Sequence, residues 1–259
     1  MVKLVGILNL TPDSFSDGGR YNNHTAALKH AEELIADGAD IIDVGAESTR
    51  PGAVPISQVE EWSRLKAILP EIIKIADKHH KAVSVDTRNA KTADEALKLG
   101  VKLINDVSAF SDPKMSSVIK EHNATIVFNH NLGVPADRKI TVPENENIID
   151  VLKNWASKIV KELTDFGIPK KHIIFDVGIG FGKTPVQSLQ ILSNLEELKN
   201  LGVAIYVGHS RKSFLNNFEP RDNQEKDNLT AIFSSKIAAH VDYLRVHNVK
   251  MTKFMIENF

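Results

Sequence analysis

Apolar residues along this chain fall into two alternating kinds of segment. Eight short and nearly continuous apolar runs end in polar or charged residues. They are Leu4–Asn9, Ile41–Gly45, Val83–Thr87, Leu103–Asp106, Ile126–His130, Ile173–Asp176, Ala204–Ser210 and Tyr243–His247. Runs without polar alternation are what parallel strands buried on both faces look like. Between them lie longer segments with helical spacing. In His24–Asp37, residues Ala27, Leu28, Ala31, Leu34 and Ile35 share one face, and Gly38 follows as a stop. Ser57–Lys78 repeats the pattern, with Pro70 placed to bend or divide it. Further helices are expected over Thr92–Leu99, Ile148–Phe166, Val186–Leu201, Asn228–His240 and Lys250–Glu257, several closed by a glycine. Asp112-Pro113 reads as a cap with proline in the first helical position. This rhythm predicts an α/β fold: one TIM-type (β/α)8 barrel domain spanning residues 1–259.

In such a barrel the chemistry sits at the C-terminal ends of the strands. Here those ends carry Asn, Asp, Asp, Asn-Asp, Asn-His, Asp, Ser-Arg-Lys and Arg-X-His, a set that a purely structural rim has no reason to collect. The three long or unusual connections, 9–23, 47–57 and 132–147, all follow strands and so fall on the same face. Loops beyond about 12 residues without structure of their own are usually functional or disordered.

Composition narrows the class. A hydrophobic content of 42% is enough for one large core, and no apolar stretch approaches the length of a membrane span. A strand begins almost at the first residue, which leaves no room for a leader within this sequence. The absence of cysteine excludes disulfides, thiolate metal sites and a cysteine nucleophile, and points to the cytoplasm. A formal charge of -1 argues against a nucleic-acid surface while leaving room for a local cationic pocket.

Five strings stand out at predicted strand ends. They are Asn9-Leu-Thr-Pro-Asp-Ser-Phe-Ser-Asp-Gly-Gly19, Gly45-Ala-Glu-Ser-Thr-Arg-Pro-Gly52, Asp176-Val-Gly-Ile-Gly-Phe-Gly-Lys183, Ser210-Arg-Lys212 and Arg245-Val-His247. Together, and in this order, they closely resemble the dihydropteroate synthases of the pterin-binding family. The resemblance runs from the first strand to the last. It implies the joining of p-aminobenzoate to 6-hydroxymethyl-7,8-dihydropterin pyrophosphate, giving 7,8-dihydropteroate and pyrophosphate. It also implies Mg2+, a homodimer and competition by sulfonamides.

Carried over residue by residue, the resemblance makes Asp86, Asn105, Asp176 and Lys212 pterin contacts. One carboxylate can accept the exocyclic amine and the adjacent ring N–H of a pterin side by side, and Asp176 matches that role. Asn9, Arg245 and His247 match the pyrophosphate site, with Asn9 also helping to hold the metal. Arg245 and His247 lie two residues apart on one strand and so on one side of it. Phe15, Thr49, Arg50, Pro51, Phe181, Arg211 and Ser213 match the p-aminobenzoate pocket, and Ser48 joins the candidates on the second loop. Asp17 is placed near the cationic intermediate that loss of pyrophosphate would leave; with Lys212, Arg245 and His247 it completes the expected catalytic set. The glycines at 178, 180 and 182 read as a tight turn that lets Phe181 and Lys183 face the site.

Three departures from the family pattern bear on detail. Asp176-Val-Gly replaces the more usual Asp-Pro-Gly, Phe128-Asn-His130 stands where Met-His is common, and Asn248 holds a position often occupied by Asp. Other readings compete. A methyltetrahydrofolate methyltransferase shares the barrel and pterin pocket but has no use for a pyrophosphate site. A catalytically silent pterin-binding regulator would not need the two N-terminal loops. A sugar-phosphate aldolase or isomerase would want a Schiff-base lysine or proton-abstracting acid opposite a phosphate, and no such pair is evident.

Overall fold

In the computed structural model the described residues are 1–10, 20–48, 52–137 and 139–259. The expectations for Phe15, Asp17, Thr49, Arg50 and Pro51 lie outside them. Eight parallel strands close into a barrel in sequence order. They are β1 (Lys3–Asn9), β2 (Ile41–Gly45), β3 (Ala82–Asp86), β4 (Leu103–Asp106), β5 (Thr125–Asn129), β6 (Ile173–Asp176), β7 (Ala204–Val207) and β8 (Tyr243–Val246). β8 returns to β1 with Val5 opposite Arg245, which closes the ring.

Strand side chains alternate between two faces, and here the alternation sorts the molecule. Outward residues such as Leu8, Ile42, Val85, Ile104, Phe128, Phe175 and Leu244 pack into the main core under the surrounding helices. Inward residues Val5, Ile41, Leu103, Val127, Ile174 and Tyr206 form a separate apolar plug inside the barrel. Two residues beyond Ile41, Ala82, Leu103, Val127, Ile174 and Tyr243, and therefore inward again, stand Asp43, Ser84, Asn105, Asn129, Asp176 and Arg245. One step of the pleat turns a dry plug into a polar floor.

The helices are α1 (Arg20–Ala36), α2 (Gln58–Leu65), α3 (Leu69–Lys78), α4 (Ala90–Lys98), α5 (Met115–Glu121), α6 (Ile148–Phe166), α7 (Pro185–Ser193), α8 (Asn223–Ile237) and α9 (Val249–Asn258). Pro70 divides the expected Ser57–Lys78 helix: it sits in the first turn of α3, where its missing N–H costs nothing. α6 has the expected bounds. The Asn147 side chain accepts from the N–H groups of Ile149 and Asp150, and Gly167 ends the helix at φ 101°. The expected Val186–Leu201 helix stops at Ser193 and continues as a 3-10 turn, Leu195–Leu201. Asp112-Pro113 does not open a helix in the predicted way, since α5 starts at Met115. The Asp112 carboxylate instead accepts from the backbone N–H of Ala90 at the start of α4 and from that of Lys114. No helix among the described residues is long and apolar enough to cross a membrane.

Candidate active site

The polar floor opens into a cavity at the C-terminal mouth of the barrel. Six of the residues expected to bind substrate line it: Asp86, Asn105, Asp176, Phe181, Lys212 and Arg245. Val107, Asn129, Ile179 and Gly208 complete its wall. They arrive from the ends of β3, β4, β5, β6, β7 and β8 or the loops beyond them, which is why lining residues as far apart as Asp86 and Arg245, 159 positions in sequence, share a hydrogen bond.

Asp176 ends β6 and is only 6% exposed. Its Oδ1 accepts from the Gly178 N–H at 2.8 Å, which folds the following turn back over the strand. Gly178 has φ +71°, and a Cβ there would lie 2.0 Å from the His130 carbonyl oxygen. The turn therefore requires glycine for space as well as conformation. Burial pushes the Asp176 carboxyl up to about 6, against the Gly178 N–H and the nearby Lys212 and Arg245 charges. The carboxyl is held at the edge of ionisation, ready to be claimed by two N–H donors.

Arg245 lies between two carboxylates. Its Nε donates to Asp43 Oδ2 at 2.6 Å and its Nη2 to Asp86 Oδ2 at 2.9 Å. The two acidic partners hold its guanidinium even more firmly protonated than usual, against the effect of burial. Burial raises the Asp86 carboxyl to about 7; Arg245 opposes that rise and Asp43 adds to it. The arginine thus enters the cavity fixed from below. Lys212 passes its side chain over Gly180 and sets its ammonium 4.3 Å from the centre of the Phe181 ring.

Other expected residues are at the rim or turned away. His247 Nδ1 shares a hydrogen bond of 2.9 Å with Ser210 Oγ, and the His247 backbone N–H donates to the same oxygen at 3.2 Å. It therefore joins the ends of β7 and β8 above Arg245. Asn9 ends β1, with its Oδ1 3.7 Å from the place a Gly45 Cβ would take. The Asp86 Oδ2 is 3.6 Å from the same point, so Asn9 and Asp86 flank Gly45. Ser213 is exposed at the start of a 3-10 turn, Ser213–Phe218.

Arg211 is a different case. Its guanidinium makes a two-pronged pair with Asp227 of α8, both bonds 2.7 Å, and does not line the cavity. This pair ties the segment carrying Lys212 and Ser213 to α8. Asp227→Ala is expected to cost about 2 kcal/mol in stability, the range for hydrogen bonds to a charged group. It should raise KM for p-aminobenzoate several-fold and weaken pterin affinity less, since Lys212 is also held against the Phe181 ring. Thermal unfolding and two-substrate kinetics would check both, and a pterin effect as large as the KM effect would refute this assignment.

Lys183 also departs from expectation. Its ammonium does not face the cavity; it donates to the carbonyls of His130 and Phe181 at 3.1 and 3.0 Å and meets His130 Nδ1 at 2.9 Å. Burial lowers the Lys183 ammonium to about 7 and the His130 ring to about 3. The neutral imidazole packs edge-on against Trp155 at 4.8 Å. Lys183 is thus a staple for the turn that carries Phe181. The loop after β5 covers the same turn: the Val142 N–H donates to the Gly182 carbonyl, and Val107, Ala136 and Phe181 form a small apolar cluster. At the base of the loop after β2, Glu47 receives Arg88 through two bonds of 2.8 Å and the Ile56 N–H at 3.0 Å, with Ser48 next in the chain.

Asp43 and Asn129 carry no role in the sequence reading. Asp43 is fully buried and accepts from Ser84, Asn105 and Arg245. Asn129 is 3% exposed, lines the cavity beside Asp176, and its Oδ1 has no hydrogen-bond partner among the described residues. It falls in the Phe128-Asn-His130 string already noted as unusual. Its amide gives this chain a polar wall beside the carboxylate.

Comparison with known proteins matches this geometry. The model of the family described as pterin binding enzyme covers residues 5–247. Dihydropteroate synthase of Bacillus subtilis is 42% identical over 254 residues, spanning 95% of this chain and 84% of that protein. The crystal structure of dihydropteroate synthase from Anaplasma phagocytophilum with bound 6-hydroxymethylpterin-monophosphate superposes with a TM-score of 0.90 at 44% identity, covering 99% of this chain and 97% of that one. The Yersinia pestis enzyme in a sulfonamide drug complex gives a TM-score of 0.88 at 32% identity, over 98% and 92% of the two chains. With a closed barrel, a mouth lined by Asp86, Asn105, Asp176, Lys212 and Arg245, and relatives matched along nearly their whole length, the chain belongs to the dihydropteroate synthases of the pterin-binding enzyme family.

Proposed function

We propose that this chain forms 7,8-dihydropteroate by the following division of labour. Asp176 accepts the exocyclic amine and ring N–H of the pterin, while Asp86 and Asn105 take neighbouring polar positions and Lys212 reaches the ring from the β7 side. Arg245 and His247 hold the pyrophosphate. Carbon–oxygen cleavage leaves a pterin methylene cation delocalised through the ring and a leaving group of high charge. Fixed positive groups aimed at that charge are worth most in a water-poor site. The aromatic amine then attacks the methylene carbon and loses a proton. Phe181 supplies an apolar wall for its ring, and Ser213 begins the segment that receives its carboxylate. By the same resemblance Phe15, Asp17, Thr49, Arg50 and Pro51, which lie outside the described residues, are assigned to this pocket, where they would exclude water from the cation.

The single observation that carries this reading is the cavity joining Asp176 to Arg245, a ring-edge acceptor and an anion binder across one barrel mouth. Magnesium fits the residues present. Asn9 offers a neutral amide oxygen at the rim, a hard donor, and among the described residues no group of three or more acidic, histidine or cysteine side chains is placed to hold a metal ion. A cation held chiefly by substrate phosphates needs no such cluster. Asn9 would hold Mg2+ with the pyrophosphate, where the ion would offset the leaving group's charge.

A homodimer is supported by the close packing of α8 on α9 and by Ile232 and Phe254 exposed on these two helices. The lack of cysteine supports action in the cytoplasm. The test is pyrophosphate release from dihydropterin pyrophosphate with and without Mg2+ and p-aminobenzoate. Mg2+-dependent release, with dihydropteroate formed when the amine is present, is expected. Sulfonamides should raise the apparent KM for p-aminobenzoate without changing kcat, and inhibition independent of p-aminobenzoate would count against the assigned pocket. Pterin binding without any release would favour a silent pterin-binding protein.

A further inference from the structure

We propose that Asp43 is the positioning residue of this site, holding Arg245 and Asn105 from beneath in the one arrangement that presents both to substrate. Asp43 is fully buried and does not line the cavity, so it acts through other groups. Its place follows from the barrel. It is inward-facing on β2, in register with Ile7 of β1 and Ser84 of β3. The Ser84 hydroxyl donates to Oδ1. Oδ2 accepts Arg245 Nε at 2.6 Å from β8 and Asn105 Nδ2 at 3.1 Å from β4. One carboxylate thereby links four strands, β8, β2, β3 and β4, reaching across β1, and the outer two share no edge.

Two consequences follow for substrate. Asp43 takes Arg245 Nε and Asp86 takes Nη2, so the guanidinium plane is fixed at two of its corners and, among the described residues, Nη1 remains for anionic oxygen. Asp43 also decides which way the Asn105 amide points. With Nδ2 donating downward to the carboxylate, Oδ1 is the atom left for the cavity; the reversed amide would set oxygen against oxygen. Asn105 is therefore an acceptor toward the ligand, which suits the N–H groups of a reduced pterin. The inference rests on the reading of Arg245 and Asn105 as substrate contacts and adds the group that makes them so.

The charge of Asp43 has a separate signature. Asp86 is faced by Arg245, Asp43, Glu61 and Lys212. Arg245 and Lys212 favour its ionised form, while Asp43 and Glu61 oppose it. Neutralising Asp43 removes one opposing charge, so Asp86 should ionise at lower pH. A residue that only fills space would not move this ionisation.

The test is Asp43→Asn, which keeps the size of the side chain but sets an amide N–H against donors it formerly accepted. Calorimetry with 6-hydroxymethylpterin as probe should show Kd raised about tenfold or more, the effect of misplacing one charged hydrogen-bond partner. KM for p-aminobenzoate should stay within twofold, kcat should fall, and the acidic limb of kcat/KM against pH should move to lower pH. If Asp43→Asn does not accumulate as folded protein, Ser84→Ala carries the test: it frees one side of the carboxylate and should raise pterin Kd about threefold without changing KM for p-aminobenzoate. Folded variant protein with pterin Kd within twofold of the parent and an unmoved pH limb would overturn the inference. A parent chain that fails to bind pterin at all would instead sink the proposed function itself.

Discussion

Arg245→Ala should abolish most turnover and weaken the fold in one step. Alanine removes the cation between Asp43 and Asp86, leaving two carboxylates close together in a buried place. Breaking a buried ion pair from one side costs about 3–5 kcal/mol, because the surviving charge has lost its partner. Without Arg245 the Asp86 carboxyl, already raised by burial, rises further. Acidification then protonates it and relieves the repulsion. The stability deficit should be largest at high pH and shrink as pH falls toward about 7, the value burial gives Asp86 with Arg245 in place, and level off below it. Loss of preorganised charge at a developing anion typically costs about 10²–10³ in rate. Arg245→Lys is the informative partner variant: it keeps a charge but cannot serve two carboxylates and a phosphate through one planar fork. Its stability should recover more than its turnover. Thermal unfolding at several pH values, with single-turnover pyrophosphate release, measures both. A variant whose deficit does not depend on pH would show that the Asp43–Arg245–Asp86 cluster is not the cause.

This cluster also marks the boundary of what the sequence discloses. The barrel is legible because burial on both faces removes polar residues from strands, and that leaves continuous runs such as Ile173-Ile-Phe-Asp176. The site is legible to the extent that chemistry gathers where those runs stop: Asp86, Asn105, Asp176, Lys212 and Arg245 all line the mouth. The Asp43–Arg245 contact was not legible. It joins β2 to β8 across β1, and nothing local specifies that pairing until the ring closes. A signal was nonetheless present, since a lone Asp inside Ile41-Ile-Asp-Val-Gly45 breaks an apolar run at an inward position.

Side-chain direction past the strand ends was harder still. Lys183 and Arg211 belong to recognisable strings, yet each spends its charge on protein groups: two carbonyls and His130 for one, Asp227 for the other. A buried or half-buried cation is drawn to whichever acceptors remain unpaired nearby, and spacing along the chain does not reveal them. The same holds for Asp112, whose capping group went to α4 rather than α5. Local sequence offers the cap; tertiary packing decides which helix receives it.

Asp176→Asn should separate binding from folding more cleanly than any other change. In the parent, an ionised Asp176 can accept two N–H groups of a pterin edge, whereas an amide must turn one of its own N–H groups toward that edge or lose an acceptor. Two hydrogen bonds to a charged acceptor amount to about 3–5 kcal/mol, so pterin affinity should fall by a few hundred- to a few thousandfold. Stability should move the other way. The carboxyl's folded value, about 6, stands above its ordinary value of 3.8, so ionising it disfavours the folded state. The stability it contributes is present below about 3.8 and lost as pH rises toward 6, for about 3 kcal/mol in all. The neutral amide of the variant escapes that loss. Above pH 6 the free variant should therefore melt higher than the parent, and the gap should close on acidification. Parent affinity for pterin should itself weaken below about pH 6, as Asp176 protonates, while the variant shows no such dependence. Calorimetry across pH and melting of the ligand-free proteins supply both readouts. A variant that melts lower and loses affinity only in proportion would make Asp176 a structural group; one that melts higher and no longer holds pterin shows a carboxylate kept at the expense of the fold for the ring edge it reads.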